Sequence, residues 1–84
     1  MFEIQIEKAA EKQLRRIPDP AHDRLVKAIL PLAENPRPNG TKKLSGSTND
    51  WRIRVGDYRV LYEIAEEIRI VRIYRVAHRR DAYR

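Results

Sequence analysis

Three arginines, Arg52, Arg54 and Arg59, lie close together in the segment WRIRVGDYRVLY, residues 51–62. Side chains alternate across a strand, so Trp51, Ile53 and Val55 share one face while Arg52 and Arg54 share the other. A two-residue loop at Gly56 and Asp57 closes a hairpin in which Val55 faces Tyr58, Ile53 faces Val60 and Trp51 faces Tyr62. The same register sets Arg54 opposite Arg59. Like charges directly across a strand pair destabilise it, so a chain that builds this pair is expected to hold an anion between the guanidinium groups. Phosphate is the obvious candidate, because arginine donates to it through a planar fork of N–H groups.

A second chemical set lies in the tail, His78, Arg79, Arg80, Asp81, Ala82, Tyr83 and Arg84. Histidine titrates near neutrality, arginine stabilises a developing phosphorane, and tyrosine can stack on an unpaired base. Taken alone, these residues would equally suit a frayed basic terminus. The other histidine, His22, is expected at the surface.

The elements that must position these groups follow from periodicity. Phe2, Ile4 and Ile6 alternate with Glu3 and Gln5, the pattern of a short strand with one buried face. From Glu7 to Arg16 the residues are good helix formers, with Ala10, Leu14 and Ile17 on a helical stripe that Pro18 ends. Asp19 and Pro20 mark the start of a second helix carrying Leu25, Ile29 and Leu32, and Pro31 should kink or shorten it. The loop NPRPNG, residues 35–40, closes the helical half, and Lys42 and Lys43 begin a short edge strand. After a turn at residues 45–49 come strands through Val55 and Ala65, a two-residue turn at Glu66 and Glu67, and a last strand from Ile68 to Ala77. That turn would set Tyr62 against Val71 and Val60 against Ile73. The expected fold is α+β: a first strand, a helical hairpin and an antiparallel meander, with the helices covering one sheet face. The open face would gather Arg52, Arg54, Arg59, Arg72 and Tyr74 with Leu61, Ile70 and Val76. In a plainer account these arginines are ordinary solvent-side residues neutralised by Glu63, Asp57 and the turn glutamates. Those acids sit toward strand ends and turns, too far along to neutralise the Arg54 and Arg59 pair.

Composition narrows the function classes. The 84 residues suit one small domain, residues 1–84, and the absence of cysteine removes disulfides and thiolate metal sites. No apolar run approaches the roughly 20 residues of a membrane helix, and no signal peptide precedes the first strand, so a cytoplasmic protein is expected. The formal charge is +6, with the surplus in residues 41–84, where nine of eleven basic residues are arginine. Arginine forks onto phosphates and stacks on bases, which favours a nucleic-acid partner. No helix-turn-helix pattern, zinc spacing or aromatic RNA-binding motif accompanies it.

The order of strand, helical hairpin, NPRP loop, KKLSG, WRIRVGDYRVLYEI and VAHRRDAYR resembles the RelE toxins of the bacterial and archaeal RelE/ParE superfamily. The resemblance covers the whole chain and is most specific at residues 51–62 and 78–83. It implies a RelE-like two-layer fold and a ribosome-dependent endoribonuclease that cuts messenger RNA in the ribosomal A site. The 2′-hydroxyl would attack the adjacent phosphate, leaving a 2′,3′-cyclic phosphate and a 5′-hydroxyl, with no metal or other cofactor. By position Arg52, Arg54, Arg59, Arg79 and Tyr83 match the family's catalytic residues, Arg59 and Arg79 bracing the phosphate and Tyr83 orienting the base. The best-known RelE has lysines where this chain has Arg52 and Arg54, and arginine is a poor general base. His78 is therefore assigned as acid or base. Lys42, Lys43, Arg72 and Arg80 would contact RNA. An antitoxin, acidic and partly disordered until it binds, would hold the toxin inactive through Leu61, Ile70, Tyr74 and Val76, and operator DNA would be met only through that complex. The rival within the superfamily is a ParE-like protein, which poisons DNA gyrase by binding, without nuclease chemistry.

Overall fold

The computed structural model describes residues 1–82. Along the chain it forms strand β1 (Glu3–Ile6), helices α1 (Lys8–Arg15) and α2 (Ala21–Ile29), and a 3-10 turn (Leu30–Ala33). Strands β2 (Lys42–Lys43), β3 (Asp50–Val55), β4 (Tyr58–Ala65) and β5 (Ile70–His78) complete it.

Both helices are held by one apolar stripe. Helix α1 buries Ala10 and Leu14, with Ile17 just beyond its end, and keeps its charges in solvent, where Arg15 meets Glu11 at 2.7 Å. The start of α2 lies one residue later than Pro20 suggested: Pro20 takes the cap position, and Asp19 Oδ1 accepts the Asp23 N–H at 3.2 Å. Pro31 has no N–H to donate, and α2 gives way at Leu30 to the 3-10 turn, which still delivers Leu32 to the core. His22, expected at the surface, instead joins the helices: its Nδ1 lies 2.9 Å from the Leu14 carbonyl oxygen.

The five strands lie in the order β1-β5-β4-β3-β2, with β1 parallel to β5 and the other pairs antiparallel. In the β3/β4 hairpin, Val55 pairs with Tyr58, Ile53 with Val60, Arg54 with Arg59 and Trp51 with Tyr62, the register read from the sequence. Between β4 and β5 the register differs. The connection spans residues 66–69, with Arg69 at φ +58°, and Ala65 pairs with Ile70. Tyr62 therefore faces Ile73 rather than Val71, a slip of two residues that leaves the faces unchanged.

A bulge then changes the faces. Tyr62 pairs with Ile73 but Leu61 pairs with Arg75, so β5 carries one extra residue, Tyr74, at this step. Beyond it the alternation of β5 is inverted, and Val60 pairs with Val76. Val76, expected on the open face, is only 2% exposed and belongs to the core. Helices α1 and α2 and the 3-10 turn supply Ala10, Leu14, Leu25, Ile29 and Leu32 to that core, against Val60, Tyr62, Ile64, Val71 and Ile73 from the sheet. Ile6, at the end of β1, is left largely in solvent.

Tyr62 also ties down the proline loop. Its hydroxyl donates to the Pro36 carbonyl at 2.8 Å, and in the same loop Arg37 lies 4.9 Å from the Trp51 ring centre and 2.6 Å from Glu66. Tyr62→Phe keeps the ring but strips a donor from a buried carbonyl, a loss expected to cost about 1–2 kcal/mol of stability. Denaturant unfolding of the two proteins checks this, and an unchanged midpoint would show that the loop finds another donor.

Candidate functional site

On the face of the sheet away from the helices, each strand places polar residues in rows. One row runs from Lys42 through Arg52 and Leu61 to Arg75, and the next from Arg54 through Arg59 to Ala77. Lys42 against Arg52 and Arg54 against Arg59 are both like-charge pairs in register. Arg52, Arg54 and Arg59 form no ion pair with any carboxylate among the described residues. The Arg54 Nε–H reaches only the Gly56 carbonyl at 3.4 Å, and Arg59 Nη1 donates to its neighbour's carbonyl at Tyr58, at 3.3 Å. Acceptors this weak leave most of the ten N–H donors of the Arg54 and Arg59 pair for an anion. Lys42, Lys43, Leu44, Ser45 and Arg52 line an open cleft of about 450 Å³ beside it.

The opposite end of the same face is acidic. Glu7, Asp50, Glu63, Arg72 and Tyr74 line a cleft of about 440 Å³. Arg72, expected to contact RNA, is paired with Glu63 there. The Tyr74 hydroxyl is pushed up to about 12, first by burial and then by the carboxylate and hydrogen bond of Asp50 and the charge of Glu63. Ile70, expected to anchor a partner, sits at this end too, opposite Ala65.

The tail leaves β5 toward the basic end. The Arg79 N–H donates to the Asp57 carbonyl at 2.7 Å, fastening the tail to the hairpin turn. The Asp81 N–H closes a turn onto the His78 carbonyl at 2.8 Å, and Ala82 is buried. Arg79 and Arg80 are exposed. His78 does not join the arginines. It pairs with Tyr58, whose ring packs against the core, and meets that ring edge-on with centroids 5.6 Å apart, on the helix side of the sheet. Its Nδ1 accepts the Arg80 N–H at 3.3 Å, so a neutral ring carries its proton on Nε2. Tyr83 lies outside the described residues. Leu61, expected as a partner-binding residue, is only 5% exposed. The site thus brings together Arg52, Arg54, Arg59 and Lys42, with Lys43, paired with Trp51, at the edge of the neighbouring cleft and Arg79 approaching along the hairpin turn. It leaves His78 on the other face and Val76 inside.

Two outcomes are expected from these charges. Arg59→Ala relieves the repulsion across the hairpin and should leave the unfolding free energy in denaturant unchanged or raise it by a few tenths of a kcal/mol, on the order of one cross-strand pair; a clear fall would mean that Arg59 is held by attractive contacts. Tyr74 sets an alkaline limit. Unfolded tyrosine loses its proton near 10.0, but the folded protein retains it to about 12, so this contribution to stability is complete below pH 10 and lost as the pH climbs to 12. Tyr74→Phe should lose less stability than the parent across that interval in melts followed by circular dichroism, and equal losses would remove Tyr74 as the cause.

A model of the family described as "ParE toxin of type II toxin-antitoxin system, parDE" matches residues 4–83. The chain is 31% identical over 86 residues to "Putative toxin RelE1" of Methanocaldococcus jannaschii, covering 99% of this chain and 96% of that protein. Among solved structures it is similar to the RelE–RelB complex from Pyrococcus horikoshii, with TM-score 0.84 and 27% identity over 96% of this chain and 98% of that one. Isolated Escherichia coli RelE shares the fold at TM-score 0.82, with 22% identity over 93% of this chain and 84% of that one. An arginine-lined sheet under a helical hairpin, matched along nearly its whole length to these proteins, places the chain in the RelE/ParE superfamily of type II toxin–antitoxin toxins, as a RelE-type toxin.

Proposed function

We propose that this toxin is a metal-independent endoribonuclease that cleaves messenger RNA on the ribosome, by attack of the 2′-hydroxyl on the adjacent phosphate. The observation that carries the reading is the register pairing of Arg54 with Arg59, two guanidinium groups with no carboxylate partner among the described residues. Such a pair suits the extra negative charge that a phosphate oxygen gains as the 2′-oxygen bonds to phosphorus. Arg52, Lys42 and Lys43 extend the positive surface along the RNA backbone, and Arg79 adds a donor from the tail.

Dependence on the ribosome follows from the openness of the face. A site with no walls to orient its substrate gains from a host particle that holds the RNA in line, and orientation alone can be worth several kcal/mol of the barrier. In this reading the protein acts in the cytoplasm. RelE of Pyrococcus horikoshii is seen with RelB, and the proposed partner here is an antitoxin whose acidic segment covers the arginines. Its contacts cannot include Val76, which lies in the core. Operator DNA enters only through that complex.

A second reading, inhibition of DNA gyrase without RNA cleavage, is favoured by one observation, the match to a family model described as ParE. Primer-extension mapping of transcripts after induction, paired with a gyrase supercoiling assay, separates the two. Expected are cuts within translated codons that vanish when translation is blocked, and unimpaired gyrase. Arg59→Ala should lower the cleavage rate on programmed ribosomes about a hundredfold to a thousandfold, the usual loss when a charge-stabilising donor is removed. His78→Gln should cut within a few-fold of the parent from pH 6 to 8, because its ring faces the helix side. Efficient cutting of naked RNA would overturn the dependence on the ribosome, and gyrase inhibition without cleavage would overturn the nuclease reading.

A further inference from the structure

Arg75 owes its place to the bulge. The extra residue Tyr74 inverts the alternation of β5, so that Val76 enters the core and Arg75 stands on the open face opposite Leu61. There its guanidinium Nη2 donates to the backbone carbonyl of Asp81, and its Nε is withdrawn from solvent. Burying part of a guanidinium is costly unless its donors are used, so this contact fixes both ends. Leu61 and Ala82, both nearly inaccessible to solvent although neither belongs to the core under the helices, mark the same face as covered.

The tail is thus held at two points. The Asp57 carbonyl takes the Arg79 N–H at the hairpin turn, and Arg75 takes the Asp81 carbonyl two residues later. Between them the turn closed by Asp81 and His78 fixes the path of residues 78–81. With both ends fastened, Arg79 is presented at the end of the sheet that carries Arg54 and Arg59. With only the Asp57 contact, the chain beyond Arg79 can swing, and misplacement of a charge-stabilising group by about 1 Å can cost on the order of a hundredfold in rate.

We propose that Arg75 is a positioning residue for RNA cleavage: it clamps the carbonyl of Asp81 and so holds the tail with Arg79 beside the Arg54 and Arg59 pair. The role in cleavage rests on the endoribonuclease reading above, whereas the clamping of the tail does not. Arg75→Met keeps the unbranched stem of the side chain and removes its donors. Amide hydrogen exchange in the free protein should then show Asp81 losing at least tenfold of its protection while Tyr62, in the core, keeps its own. On programmed ribosomes kcat should fall tenfold or more with KM within about twofold, and Arg75→Lys, which restores one donor, should recover part of both. Should methionine disturb exchange at Tyr62, Arg75→Gln carries the same comparison with a polar group on the open face. Unchanged protection of Asp81, or a released tail with kcat at the parent's value, overturns the proposal. A parent protein that cuts no RNA on ribosomes overturns the nuclease reading and the cleavage role with it. The exchange measurement is independent of that result and decides the clamp.

Discussion

Burial of Val60, Tyr62 and Ile64 on one side of the central strand β4 sets where charge can lie on the sheet. Each of these residues is at most 1% exposed, and each is separated from the next by a residue that must face the other way. Pairing carries the choice to β3 directly and to β5 on either side of the bulge: apolar partners collect under α1 and α2, and charged residues collect opposite. The repulsion between Arg54 and Arg59 is therefore imposed by the core. Sliding β3 by one residue would separate the two charges, but it would also turn the half-buried Trp51, Ile53 and Val55 out to solvent, and each would forfeit part of the roughly 1.5–3 kcal/mol of full burial. The electrostatic strain of a cross-strand pair is a few tenths to about 1 kcal/mol. Packing wins, and the fold carries a site with unsatisfied positive charge as a consequence of its hydrophobic register.

The bulge at Leu61 and Tyr62 divides the open face into two chemical regions. On one side of it stand Asp50, Glu63 and Arg72, where with Glu7 three acids face one base and Tyr74 is held neutral. On the other stand Arg52, Arg54 and Arg59, none of them ion-paired with a carboxylate among the described residues. Were β5 to alternate regularly, Tyr74 would stand opposite Leu61, Arg75 would turn toward the core opposite Val60, and Val76 would stand on the open face opposite Arg59, with no arginine there to take the Asp81 carbonyl. One inserted residue thus removes an apolar side chain from the exposed face, completes the core and supplies an attachment for the tail.

Much of this was legible in the sequence because strand alternation and a glycine turn are local signals. WRIRVGDYRVLY specified its own register through the apolar positions on both sides of Gly56, and the helices announced themselves through Ala10, Leu14, Leu25 and Ile29. Nothing local announced the β4/β5 pairing. Glu66 to Arg69 contains no glycine to mark which residue takes the positive φ, and Arg69 adopts it instead. Nor does Tyr74 differ in type from any strand residue, so the bulge was invisible, and with it the burial of Val76 and the outward turn of Arg75. The side of the sheet on which His78 falls was hidden for the same reason, since it depends on how many residues separate His78 from Ile73. The parallel pairing of β1 with β5 joins residues about 67 apart in sequence, Glu3 with Ile70, which periodicity alone does not reveal.

These placements bear on how the proposed cleavage would work. Arginine is a poor general base, and His78 lies on the helix side of the sheet, so the basic end of the described open face offers charge stabilisation without a histidine beside the arginine pair. The barrier would then be lowered by preorganised donors and by alignment of the 2′-oxygen with the scissile bond, two effects that need no base on the protein. Stabilising the phosphorane is the part the toxin's rigid hairpin can supply; alignment is the part an open sheet face cannot. A catalyst divided in this way is inert until another particle presents RNA in the required geometry. In that respect the exposed, wall-less face of arginines is itself the reason that its proposed activity would be confined to the ribosome.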